Sequence, residues 1–122
     1  MSHTNTTFHL QLLLKTMNIE PYPFTKLVIM NNLSDQEYEE LFTLLEGLNE
    51  TYEAQKEDGL LDFTSLLVHF AGMLNQKLHP TETIYALKKE GYFPKLMSEF
   101  VQIINDAKRR PHNIFNRLPK MD

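Results

Sequence analysis

Apolar residues recur at steps of three and four along most of this chain, the spacing that places them on one face of an α-helix. The clearest run is Tyr38, Leu41, Phe42, Leu45, Leu48 and Tyr52. It follows Leu33-Ser34-Asp35-Gln36-Glu37. Ser34 is placed to accept from the Glu37 amide while Glu37 reaches back to the Ser34 amide, and Leu33 and Tyr38 can form a hydrophobic staple. With Gly59 as the stop, the pattern predicts a helix over 34–58. Asp62 reads as the next cap, with Leu61 and Leu66 as a second staple, opening a helix to Lys77. His79-Pro80 restarts the chain, Gly91 closes a short helix at Glu90, and Pro94 begins another carrying Leu96, Phe100, Ile103, Ile104 and Ala107. Toward the N-terminus, residues 6–18 form a first helix, and Pro21 and Pro23 bracket a turn before a short one from Phe24 to Met30. No hairpin dipeptide separates alternating runs. The expected fold is all-α, about six helices in one domain over 1–105, followed by a basic tail over 106–122.

Two of these helices are apolar on too many sides. On a helical wheel Leu10, Leu13, Leu14 and Met17 share one face of the first, while Phe8, Leu12 and Ile19 lie nearly opposite. In the 62–77 segment Phe63, Leu67, Phe70 and Leu74 form the main stripe, flanked by Leu66, Ala71 and Met73, with Val68 and Gly72 on the far side. A helix apolar all round is normally buried, and 122 residues leave little material to surround two of them. A central helix inside a monomer is one solution. The other is a second copy of the chain, with Leu10, Leu13, Leu14, Met17, Val68 and Gly72 as the expected interface.

Charge sharpens the picture. The formal net charge is only −4. Residues 31–62 nevertheless carry ten acids against one base, and residues 106–122 carry five bases against two acids. Glu39, Glu46, Glu50, Glu53 and Glu57 fall within about 60° of one another on the long helix, so they face water, a cation or a basic partner. Lys108, Arg109, Arg110, Arg117 and Lys120 could supply that partner by folding the tail over the acidic face, with Ile114, Phe115 and Leu118 as anchors. The alternative use of the tail is weak, salt-sensitive binding of nucleic acid, with Phe115 available for stacking. The acidic balance and the absence of a recognisable binding motif argue against that alternative.

Chemistry is sparse. The absence of cysteine excludes disulfides, thiolate metal sites and Cys nucleophiles. Phosphate-binding, nucleophile-elbow and zincin motifs are absent. His3, His9, His69, His79 and His112 form no pair at the four-residue spacing common in metal sites. The Glu-x-x-His motif of bundle di-metal centres is missing, and the six methionines read as core filling. The expectation is therefore no enzyme, no metal and no cofactor. The opening residues lack the basic start and long apolar run of an export signal, and no window reaches the ~18 apolar residues of a membrane span. A cytoplasmic protein with no membrane partner is expected.

One resemblance adds to this. Pro21-Tyr22-Pro23-Phe24 and Leu33-Ser34 opening an acidic helix are followed by Phe70-Ala71-Gly72, Leu74-Asn75 and Lys77-Leu78. Then come Glu82-Thr83-Ile84, Ala86-Leu87, Gly91, Leu96 and Phe100. In this order and spacing, across about residues 10–104, the chain resembles the YhaI-like family of small uncharacterised bacterial proteins found in bacilli. The resemblance implies a multihelical fold in an intertwined homo-oligomer, a trimer, with no assigned activity and no site residue to carry over. Taken together, the expected function is an accessory or regulatory protein–protein interaction module whose partners are itself and a further protein of unknown identity.

Overall fold

The computed structural model describes residues 3–109, with side chains from Thr6 onward. Its helices are α1 (His3–Thr16), α2 (Pro23–Met30), α3 (Asp35–Glu57), α4 (Thr64–Met73), α5 (Pro80–Glu90) and α6 (Pro94–Arg109). There is no strand among the described residues. The all-α expectation holds. α6 continues through Arg109, so the helical part carries four residues past position 105.

Local chemistry sets most of the boundaries. At α3 the Ser34 Oγ accepts from the Glu37 amide at 3.1 Å, and the Glu37 carboxylate accepts from the Ser34 amide at 2.9 Å. Both halves of the expected box are therefore made. The helix ends where Gly59 turns left-handed at φ +93° and the Leu60 amide reaches back to the Gln55 carbonyl at 2.9 Å. α5 begins with His79 Nδ1 accepting from the Glu82 amide and ends at Gly91, φ +94°. α1 stops at Thr16, two residues short of the expected end. Asn18 takes the Glu20 amide in its side chain and the Tyr22 amide bonds the Ile19 carbonyl, so the chain turns there before Pro23.

The expected 62–77 helix requires correction at both ends. Asp62 is not its N-cap; that position is Phe63, and the Asp62 carboxylate instead accepts from the amide and hydroxyl of Thr64 at 3.0 and 2.6 Å. These bonds hold Asp62 below its ordinary carboxylate pKa. Leu61 is 90% exposed, so no staple forms with the buried Leu66. At the other end Leu74 is extended, and Asn75 makes a turn by accepting the Lys77 amide on its side chain and the Leu78 amide on its carbonyl. A polar side chain competing for local amides defeats a periodicity that extends past it.

The core is continuous. Phe24, Leu45, Phe70, Ile84, Leu87, Leu96, Met97 and Phe100 have no accessible surface. α5 packs on α2 and α6, and α4 packs on α3 and α6; α1 has no pairing of comparable extent. An aromatic group of Phe24, Tyr38, Phe42, Tyr92 and Phe93 ties α2, α3 and the α5–α6 turn together at ring separations of 4.8 to 6.2 Å. Burial raises the Tyr92 phenol, helped by Tyr38 and the charge of Glu90. Thr83 is the buried polar residue of this core, and its hydroxyl donates to the His79 carbonyl at 2.7 Å.

Candidate functional site

α1 carries apolar side chains on opposite sides and leaves most of them in solvent. Phe8 and Leu13, and Met17 just past the helix end, are each more than half exposed, at 54, 54 and 59%, and Leu10 and Leu12 are exposed too. Leu10 and Leu14, with Thr7 and Gln11, line a cleft of about 120 Å³ against Ile29 and Met30 of α2 and Asn32 of the turn after it. Of the interface residues expected on this helix, Leu10 and Leu14 therefore meet its own chain. Leu13 and Met17 do not share that cleft. The two on α4 are split: Val68 is half-buried and Gly72 is exposed, beside an exposed Met73.

A second apolar surface lies beside the first. α2 and α5 run antiparallel because Glu90, at the end of α5, caps the start of α2. Its carboxylate accepts from the Phe24 and Thr25 amides at 2.9 and 3.0 Å and from the Thr25 hydroxyl at 2.7 Å. The opposite faces of this pair form an open groove of about 480 Å³ floored by Pro23, Leu27, Met30, Tyr85 and Ala86. Lys26 and Lys89 flank one end and Glu82 the other. Met30 belongs to both the groove and the α1 cleft. The sequence reading missed this groove. Its only trace in the sequence is Pro23 in the turn and Leu27 and Met30 in the short apolar helix after it, at steps of four and three.

The glutamates of the expected acidic face lie on α3. Glu39, Glu46, Glu50, Glu53 and Glu57 are all exposed along α3. Lys108 and Arg109 are exposed at the end of α6, whereas Arg110, Arg117 and Lys120 lie outside the described residues. The docking of that tail on α3 therefore falls outside them as well.

The strongest electrostatic perturbation has a structural cause. Glu37 bonds Lys77 Nζ at 2.7 Å and Asn75 at 3.2 Å in addition to its capping bond. Lys77 also donates to the Asn32 carbonyl at 3.0 Å. The Lys77 hydrogen bond, with the Ser34 amide next, holds the Glu37 carboxyl down to a pKa of about 2. This network joins the α2–α3 turn, the start of α3 and the α4–α5 loop. Among the described residues no group of three or more His, Asp and Glu side chains could hold a metal ion, and no helix is long and apolar enough to cross a membrane.

What these surfaces offer chemically is apolar contact bordered by a few charges. The model of a family described as "Protein of unknown function (DUF1878)" matches residues 3–105, from the start of α1 nearly to the end of α6. The chain belongs to that family.

Proposed function

We propose that this protein is a non-enzymatic interaction module that works as a homo-oligomer, with α1 and the surfaces around it as the contact region. The observation that carries this reading is the exposure of α1. A helix apolar on opposite sides is ordinarily enclosed, yet Phe8, Leu10, Leu12, Leu13 and Met17 all stand in solvent in a single chain. Isolated apolar side chains on a surface need no explanation; a helix-length cluster of large ones does. Covering it with further copies removes that apolar area from water at about 25 cal/mol per Å². The three-copy assembly implied by the sequence resemblance is the stoichiometry we favour, with a further protein bound on the finished oligomer in an accessory or regulatory role.

The test is the solution mass. Size-exclusion chromatography with light scattering is expected to return a multiple of the 14.4 kDa chain, and Phe8→Glu with Leu12→Glu, both exposed, is expected to lower it. A 14.4 kDa species across the micromolar range would overturn the reading. Affinity capture from the native host under the same conditions addresses the further partner.

A further inference from the structure

We propose that the α2–α5 groove is the seat for α1 of a second copy, which enters with its Phe8–Leu12 side and sets Lys15 against Glu82. This rests on the oligomeric reading above and adds the site, the occupant and its direction.

The two surfaces match in length. Phe8, Leu12 and Lys15 stand at i, i+4 and i+7 along one side of α1, a reach of about 10 Å. The groove is built from Pro23, Leu27 and Met30 on α2 and from Glu82, Tyr85, Ala86 and Lys89 on α5, two turns of each helix. They match in character. Phe8 and Leu12 are 54 and 41% exposed, Met30 and Tyr85 are 52 and 37% exposed, and all four lose contact with water on docking.

Charge fixes the direction. Lys15 is the only Lys, Arg, Asp or Glu in α1, and among the described residues Glu82 is the only acid lining the groove. Because α2 and α5 are antiparallel, Glu82 and Met30 occupy one end of the groove and Pro23, Lys26 and Lys89 the other. Seating Lys15 at Glu82 makes the incoming α1 run parallel to α2, and its early turns, which hold no Lys or Arg, meet Lys26 and Lys89 without a like charge.

The occupant is a second copy and not the chain's own α1. That helix already lies against α2 through Leu10 and Leu14, which turns Phe8 and Leu12 away from Met30. Met30 is shared by the two seats, so the intramolecular and intermolecular α1 helices lie side by side across α2. Each chain gives one side of α1 to itself and the other to its neighbour. Such a head-to-tail contact makes a closed ring when the rotation between copies divides the circle, as the three-copy assembly favoured above requires.

The chain contains no cysteine, so single engineered thiols report the contact cleanly. A differently tagged Lys15→Cys chain is coexpressed with either Glu82→Cys or Lys89→Cys, at opposite ends of the groove, and oxidised mildly. Each chain then carries one thiol, and any link between the two tags is intermolecular. The covalent mixed dimer is expected at least about tenfold more abundant with Glu82→Cys than with Lys89→Cys, the gain in effective concentration from seating. Equal or reversed yields, or no link, in a protein whose mass still shows an oligomer would overturn the groove assignment and leave the oligomer standing. A monomeric mass would overturn both.

Discussion

Glu90 offers a direct measurement of how the groove walls are held. Its position is unfavourable within its own helix, because a carboxylate in the last turn of α5 faces the negative end of the helix dipole at a cost of about 0.3–1 kcal/mol. It is kept there by three bonds to another helix: the Phe24 and Thr25 amides and the Thr25 hydroxyl, at 2.9, 3.0 and 2.7 Å. These amides belong to the first turn of α2, whose N-cap Tyr22 makes no side-chain capping bond. Glu90→Ala removes charge-assisted bonds worth about 1.5–3 kcal/mol and relieves the dipole penalty. Glu90 is partly exposed, so water re-solvates the freed amides and holds the loss toward the lower end. The expected net cost is about 1–2 kcal/mol, within the range for loss of a helix cap. For a chain of this length that lowers the melting temperature by about 6 °C. Urea unfolding at one fixed protein concentration, required because association adds to stability, reads the shift in midpoint at unchanged slope. Glu90→Gln keeps an acceptor oxygen without the charge and is expected to lose about half as much. An alanine variant within about 0.3 kcal/mol of the parent, or a glutamine variant as damaged as the alanine one, would refute the charge-assisted cap.

Three further outcomes follow from single positions. Glu37 sits at a pKa of about 2 against an ordinary 4.5. Its contribution is therefore complete above the ordinary value and is lost as pH falls toward 2. Lys77→Ala is expected to flatten the fall in urea midpoint over that acid range, and an unchanged slope would count against the Glu37–Lys77 link. Phe100→Ala removes a ring with no accessible surface, 5.9 Å from Phe70, and is expected to cost about 3–5 kcal/mol by chemical denaturation; a loss under about 1 kcal/mol would show the site is not core. Gly91→Ala meets no atom within 4 Å at the added Cβ, so its expected loss of about 1–2 kcal/mol is entirely the cost of a left-handed φ of +94°, and a neutral variant would mean the turn relaxes.

How far the fold could be read from the sequence depended on whether a boundary is decided locally. The α3 capping box, the Gly59 and Gly91 stops and the prolines opening α5 and α6 involve residues within a few positions of one another, and all stand where the sequence places them, while α2 opens at Pro23, one residue before the expected Phe24. α4 shows the limit. Its apolar spacing runs on through Leu74 and Leu78, which are half-buried and buried, so the pattern reports burial correctly beyond the point where the helix has ended. Asn75 ends it by drawing the Lys77 and Leu78 amides into a turn, an event that periodicity does not weigh. Asp62 errs in the same sense, since an Asp two residues before a Thr can satisfy that residue instead of opening the helix.

The candidate site divides along the same line. α1's excess of apolar sides is a property of one segment and could be read directly, as could the solvated glutamates of α3. The groove is a property of two segments 59 positions apart, from Pro23 to Glu82, brought together by the shared core and by Glu90's bonds to the start of α2. Nothing in either segment alone says that Leu27 and Met30 will stand beside Tyr85 and Ala86. Sequence pattern therefore identified the helix that lacks a cover, and the tertiary pairing supplies the surface able to provide one. The two surfaces meet at Met30, where α1's seat on its own chain ends and the groove begins. A bulky charged substitution at that one residue disturbs both, which is why the proposed contact is better interrogated at Lys15, Glu82 and Lys89, all of them clear of α1's intramolecular seat.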